Sequence, residues 1–247
     1  MAEEKKTAPA ARIRRHKGEI VCEDQSFAAK EAFKRLRTNL VMGFPEEDVS
    51  CKLIGVTSAQ PGDGKSTVAL NLAFSLAELE KKVLLIDADM RRSSLHEKAG
   101  LKKAPGLSEL LSSSGDLSAA MQKYRGNGAV TFDILTSGGA PRNPSELLNS
   151  RRMSALLQTL AGAYDYIVAD LPPIGAVVDA ISVSKQLTGM LVVVHENACP
   201  RGLLSECMSQ LNYAGVNVLG FVVNGALEGS SKKYQYGGKY GYSYGYY

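Results

Sequence analysis

Several common signposts of function are missing from this chain. Its four cysteines, Cys22, Cys51, Cys199 and Cys207, form no CxxC pair and have no histidine at metal-ligand spacing. A zinc site and a disulfide framework are therefore excluded as organising features, and a reducing cytosol fits best. Histidine is scarce as well: His16 and His96 lie among charges, His195 follows an apolar run, and none is expected to be catalytic. The most apolar stretch, MLVVV at 190–194, falls far short of the roughly 20 residues a membrane span needs. The N-terminus also lacks an apolar signal core, so a soluble, cytoplasmic chain is expected unless something recruits it.

The 247 residues, 45% hydrophobic and 22% charged, suffice for one α/β domain with a tail at either end. The net charge of +4 comes from the first 17 residues, where Lys5, Lys6, Arg12, Arg14, Arg15 and Lys17 face only Glu3 and Glu4. Residues 1–24 thus read as a solvated basic arm ahead of a nearly neutral domain, and no nucleic-acid partner is expected. From Leu53 onward the runs LIGVT, VLLID, FDIL, YIVAD, MLVVV and VLGFVVN alternate with helix-length segments, notably Lys65–Glu80, Pro144–Leu160, Val178–Gln186 and Arg201–Tyr213. Runs without polar alternation mark strands buried on both faces, so the expected fold is a doubly wound α/β domain, residues 25–224, with a mostly parallel sheet. Residues 25–42 place Phe27, Phe33, Leu36 and Leu40 near one face of an amphipathic helix. From Gly225 to Tyr247 the composition turns to Gly, Ser, Lys and Tyr, which predicts a disordered tail. Tyr124, Tyr164, Tyr166 and Tyr213 fall inside the domain and are expected to be packing residues.

The first strand runs directly into SAQPGDGKST, residues 58–67. Backbone amides of such a loop, around Gly62, Asp63 and Gly64, can close on phosphate oxygens. Lys65 can reach the β and γ phosphates, the Ser66 hydroxyl can ligate Mg²⁺, and the following helix directs its N-terminus at the anion. The strict phosphate-loop pattern has glycine where Ala59 stands. Two further strands end in carboxylates, Asp87 and Asp89 in VLLIDADMR and Asp170 in YIVADLPP. In a parallel sheet these C-terminal strand ends share one crevice, which would place the three acids where a magnesium ion needs oxygen ligands. Asn224, closing the last run, resembles the asparagine that reads adenine in related P-loop ATPases, or is a turn residue.

PGDGKST, DADMR and DLPP together, with GGAPRNPSELL at 138–148, closely resemble the bacterial tyrosine kinases that control polysaccharide export, over nearly the whole chain from about Gln25. The HRD and DFG signatures of eukaryotic-type kinases are absent. The resemblance implies ATP and Mg²⁺ as cofactors, with Ser66, Asp87 and Asp170 near the metal, Thr67 supporting the α phosphate, and Asp87, assisted by Asp89, orienting or deprotonating a tyrosine hydroxyl. It also implies that Tyr234, Tyr236, Tyr240, Tyr242, Tyr244, Tyr246 and Tyr247 are autophosphorylated in trans within a ring of identical chains. EAFKRLR, residues 31–37, is similar to the family's oligomerisation motif through Glu31, Lys34 and Arg37, although lysine stands at the middle position where the family has arginine. The implied partners are a separate membrane activator of the polysaccharide co-polymerase type, which would recruit the chain to the inner face of the membrane, and a counteracting tyrosine phosphatase. Capsular or exopolysaccharide synthesis is the process so regulated. By fold the chain is also similar to the deviant P-loop ATPases that position division sites, segregate plasmids or load iron–sulfur clusters. Those carry a signature lysine where this chain has Gln60. An ATPase of that kind, or a nucleotide-gated scaffold for the co-polymerase, is the alternative reading.

Overall fold

The unalternating apolar runs become strands covered on both faces. In the computed structural model, which describes residues 27–45, 50–113, 115–125, 130–175 and 179–226, the chain passes through α1 (Phe27–Met42), β1 (Lys52–Ser58), α2 (Lys65–Ala77) and β2 (Val83–Asp87). It continues through α3 (Leu95–Ala99), α4 (Leu107–Ser112), α5 (Leu117–Ala120), β3 (Met121–Arg125) and β4 (Thr131–Leu135). Then come α6 (Pro144–Leu148), α7 (Arg151–Ala161), β5 (Tyr166–Asp170), α8 (Asp179–Ser184), β6 (Gly189–His195), α9 (Arg201–Tyr213) and β7 (Val218–Asn224). The basic arm and the tail tyrosines lie outside the described residues. Among the described residues, no helix is long and apolar enough to cross a membrane.

The strands form one sheet in the order β3-β4-β2-β5-β1-β6-β7. All pairings are parallel except that of β3 with β4. Every residue of β1, β2 and β5 is buried, because alternate side chains feed two separate cores. Ile54, Val56, Val168 and Leu191 pack into one core with α2 and with Leu40 of α1. Leu53, Ile167, Ala169 and Val192 pack into the other, beneath Met153 and Leu157 of α7 and Leu211 of α9. The result is the expected doubly wound sandwich, and β1, β2 and β5 lie side by side at its centre. The connection leaving β1 runs to β2 on one side of the sheet centre, and the one leaving β5 runs to β6 on the other. That makes a topological switch point at the C-terminal ends of the central strands.

Helix α2 is buried along its length, Thr67 alone excepted, because α1 lies against its outer side. Arg37 of α1 donates from Nη1 to the Ser75 carbonyl at 2.6 Å and to Glu78 Oε2 at 3.0 Å, which fixes the two helices together. Phe33 and Leu36 pack against the same core, but Phe27, expected on the buried face, is 75% exposed. Helix α2 stops at Ala77, short of the expected Glu80. The expected helix Pro144–Leu160 divides in two, because the Ser150 hydroxyl accepts from the Met153 amide at 3.2 Å and begins a new helix. Tyr124 and Tyr166 are core residues as expected, and the partly buried Tyr164 donates its hydroxyl to Asp133 Oδ2 at 2.8 Å. Tyr213, at the end of α9, is 97% exposed and is not a packing residue.

Candidate active site

The phosphate loop leaves β1 and enters α2 through two left-handed glycines, Gly62 (φ 92°) and Gly64 (φ 93°). This conformation costs a residue with a Cβ about 1–2 kcal/mol, and glycine adopts it freely. At Gly64 a Cβ would also run into the side-chain amide of Asn224. That amide sits behind the loop and donates to the Asp63 carbonyl at 2.9 Å. Gln60 braces the loop's other side, donating to Asp63 Oδ1 at 3.0 Å and to the Ala198 carbonyl at 3.1 Å. Ala59 is buried, and its carbonyl accepts from the Gly175 amide at 3.1 Å, so the segment after β5 is strapped to the loop. A Thr57 hydroxyl bond to the Pro172 carbonyl, 2.8 Å, strengthens that strap.

Parallel register brings the acids together: Asp87 and Asp170 are direct partners on β2 and β5, and Val56 pairs with Asp170 from the other side. Lys65 extends over them. Its Nζ lies 2.8 Å from Asp89 Oδ2 and 3.3 Å from Asp170 Oδ1, with the Ser66 hydroxyl 3.4 Å away. Asp87, Asp89 and Asp170 are each at most 2% exposed. Burial alone would depress the Lys65 ammonium, but the facing Asp170 and Asp89 carboxylates hold it above its ordinary value. Burial, reinforced by the Asp170 charge, pushes the Asp87 carboxyl up to about 7, against the pull of the Ser93 hydroxyl and Lys65. Asp170 is likewise raised by burial, with Lys65 and Ser66 pulling the other way.

Above this cluster lies a cavity of about 370 Å³. Pro61, Gly62, Gly64, Lys65, Ser66 and Thr67 form one wall; Asp89, Arg92, Ser94 and Lys98 form the other, with Pro173 beside them. The residues fit a divalent cation. Asp170 Oδ2 is buried with no hydrogen-bond partner, an arrangement that a cation would complete. Among the described residues no group of three or more His, Cys, Asp or Glu side chains can hold a metal. A magnesium ion would therefore take much of its shell from phosphate and water, as is usual for that ion.

Of the residues singled out from the sequence, Lys65, Ser66, Asp87, Asp89 and Asp170 converge, and Gly62, Gly64 and Thr67 line the cavity. Asp63 is turned towards Gln60, and Asn224 holds the loop from behind. Glu31 and Lys34 pair with each other at 2.8 Å on the surface of α1, apart from this site. Arg37 is engaged within the chain, by α2 and Glu78. His195 also has a local role, its Nδ1 2.9 Å from the Glu196 carbonyl and its ring against Gly225. Sequence reasoning missed the segment after Asp89. Arg92 donates its backbone amide to Asp89 Oδ1 at 3.0 Å, and Arg91 reaches Ser145 Oγ at 3.0 Å. Ser93 sits against Asp87, and His96 stands behind Ser93 rather than on an open surface. The only signal for them was proximity to DADMR.

Comparison with known proteins agrees with this geometry. The ParA family model, described as NUBPL iron-transfer P-loop NTPase, matches residues 50–235. The tyrosine-protein kinase YwqD of Bacillus subtilis is 35% identical over 208 residues, 84% of this chain and 86% of that protein. The putative tyrosine-protein kinase EpsB of Ralstonia solanacearum is 38% identical over 211 residues, 85% of this chain; the chain spans only 27% of EpsB. The solved kinase domain of Escherichia coli tyrosine kinase ETK superposes with a TM-score of 0.79 at 34% identity, covering 95% of this chain and 89% of that one.

Proposed function

The chain belongs to the bacterial tyrosine-protein kinases, and from that membership we propose that it transfers the γ-phosphoryl group of ATP to tyrosine hydroxyls, foremost those of its own C-terminal cluster. The observation that carries this reading is the set of three buried carboxylates and one lysine lying directly beneath the phosphate-loop cavity. Phosphoryl transfer requires charge neutralisation and in-line placement more than covalent chemistry, and this cluster is equipped for both. The loop amides and Lys65 hold the β and γ phosphates, and Thr67 supports the α phosphate. Ser66 and Asp170, with Asp87 adjacent, would hold Mg²⁺, whose contribution is to neutralise phosphate charge. Asp87 orients the tyrosine hydroxyl and accepts its proton as the new O–P bond forms and the bond to the leaving oxygen of ADP breaks. A carboxyl raised towards neutrality suits that task. Asp89 holds Lys65 in place.

The acceptor tail starts at Gly225, next to the phosphate loop's own support, and has a reach of roughly 75 Å at about 3.3 Å per residue. Reach alone permits transfer in cis or in trans; membership of the family favours a neighbour in a ring, with Glu31 and Lys34 of α1 at the contact. Full modification at about −1.5 to −2 charges per phosphate would reverse the charge of a tail carrying Lys232, Lys233 and Lys239. Repulsion between such tails would open the ring and limit the reaction. In this reading a separate membrane co-polymerase recruits and activates the chain, a phosphatase resets it, and polysaccharide synthesis is the regulated process. The test mixes full-length Lys65→Met protein with an active chain truncated after Gly229, then maps phosphotyrosine by mass spectrometry. Modified tails on the inactive partner are expected. Their complete absence, with the truncated enzyme active on a tail peptide, would reject transfer in trans.

A further inference from the structure

The segment that follows β2 does more than lead into the next helix. Asp87 is fully buried, and both of its oxygens are held from that segment: Oδ1 accepts from the Asp89 amide at 3.2 Å and Oδ2 accepts from the Ser93 hydroxyl at 2.8 Å. Ser93 Oγ is in turn 3.2 Å from His96 Nδ1. A serine hydroxyl has one proton to give and lone pairs to receive with. When Asp87 is ionised and can only accept, that proton belongs to the Asp87 contact. The imidazole can then meet Oγ only as a donor, which fixes the tautomer with hydrogen on Nδ1. The chain of bonds is therefore directional, from His96 Nδ1–H to Ser93 Oγ, and from Ser93 O–H to Asp87 Oδ2. Each bond polarises the next, so the hydroxyl that holds Asp87 is a stronger donor than an isolated serine.

Neither serine of the pair Ser93-Ser94 is occupied with helix capping. Ser94 is the N-cap residue of α3, yet its side chain makes no capping bond, and the Ser93 hydroxyl turns back across six residues to Asp87. The helix itself is five residues long and is pinned by the fully buried Leu95. The neighbouring position is His96, whose side chain is only 15% exposed. So short an element contributes little stability of its own; what it does is set the imidazole behind the hydroxyl.

We infer that Ser93 and His96 are positioning residues for Asp87, fixing the plane of its carboxylate so that one lone pair stays aimed at the acceptor tyrosine. The inference rests on the reading that Asp87 handles the acceptor hydroxyl. A carboxylate held by the Asp89 amide alone can turn about its Cβ–Cγ bond, and loss of alignment at a reacting group commonly costs on the order of 100-fold in rate. Nucleotide binding draws chiefly on the loop, Lys65 and Ser66, so it should change little with this orientation.

The test compares variants in the full chain, with transfer to the tail of the Lys65→Met protein as the assay. Ser93→Ala should lower kcat by about 10- to 100-fold while KM for ATP stays within about twofold. Ser93→Thr, which keeps the hydroxyl, should recover most of that loss. His96→Asn places an amide N–H where Nδ1–H stands and should retain activity; His96→Gln places its amide at the Nε2 position and should behave like Ser93→Ala. A second readout needs no turnover: long-range ¹H–¹⁵N spectra at about pH 8, where carboxylates are ordinarily ionised, should show His96 with its proton on Nδ1, and Ser93→Ala should shift it towards Nε2. An Nε2–H tautomer in the wild type, or a Ser93→Ala enzyme with wild-type kcat, overturns the inference. Asp87→Asn is the control that separates the two ideas. If it keeps wild-type transfer, the assignment of Asp87 fails; if it abolishes transfer while Ser93→Ala and His96→Gln do not, only the positioning pair fails.

Discussion

Replacing Lys65 with methionine is the obvious way to silence the nucleotide site, and the structure says that it will do something else as well. The ammonium lies 2.8 Å from Asp89 and 3.3 Å from Asp170. At an effective dielectric constant of about 20, these contacts are worth about 6 and about 5 kcal/mol of gross attraction. Much of that only offsets desolvation, and the net cost of breaking a buried pair by removing one partner is about 3–5 kcal/mol. For a protein of this size such a loss lowers Tm by on the order of 10 °C. The variant has one relief open to it, which is to protonate carboxyls that now lack a cation. Their folded-state pKa values then stand above the unfolded ones, so the folded state binds more protons and stability falls as pH rises through that interval. Wild-type protein shows the same sign through Asp87, which is raised to about 7, but with Lys65 present the effect should be smaller. Thermal melts without divalent ions at about pH 6 and about pH 8.5 should therefore show a Tm deficit in Lys65→Met that widens at the higher pH. Adding Mg²⁺ should recover part of it, as should a second substitution, Asp170→Asn. A variant melting within about 1 °C of wild type at both pH values would refute the claim that Lys65 neutralises these acids in the free protein.

Arg37→Ala should destabilise the fold by about 2 kcal/mol in urea titrations, because it strips a charged donor from the Ser75 carbonyl and from Glu78; unchanged stability would mean that α1 is not anchored this way. Glu109 holds the amides of Gly106 and Gly139 at 2.7 and 2.9 Å. Burial would raise its carboxyl, but those amides prevail and keep it below its ordinary 4.5. Its contribution is thus present at neutral pH and lost as pH falls through the lowered value. Glu109→Gln should cost about 1–2 kcal/mol at pH 7, and the difference from wild type should vanish in strong acid; a constant difference at all pH values would contradict the ionic origin.

Most of the sheet was legible because parallel strands buried on both faces leave a composition that nothing else explains, and LIGVT, VLLID and YIVAD all became central strands. MQKYR did not announce itself. It forms the antiparallel edge β3, where only Tyr124 needs to be buried, so polar residues are tolerated and the pattern fades. The break after Leu148 depended on one serine turning its hydroxyl to a new helix, a local competition that periodicity does not register. Lys65 and the strand-end aspartates were legible for a geometric reason, since parallel strands must bring their C-terminal ends to one edge. Ser93, His96, Arg92 and Lys98 belong to an irregular return from that edge. Their meaning depends on how far the chain folds back, which spacing alone does not encode. Tyr213 was misjudged by the assumption that an aromatic residue on a domain helix is packed.

Strand β7 gives this site an unequal mechanical footing. It is an edge strand, paired in the sheet among the described residues only with β6, and Phe221 and Val223 are 51% and 58% exposed, so its amides should exchange with solvent well before those of β1, β2 and β5. Its final residue is Asn224, the side chain that holds the Asp63 carbonyl behind Gly64. Peeling this strand would release the phosphate loop from behind, and a nucleotide that requires the closed loop must in turn hold the strand down. By reciprocity, whatever clips or covers the outer strand tightens nucleotide binding by the same factor by which nucleotide tightens the strand. The tail departs at the very next residue, Gly225, so a pull on it is applied one residue from Asn224.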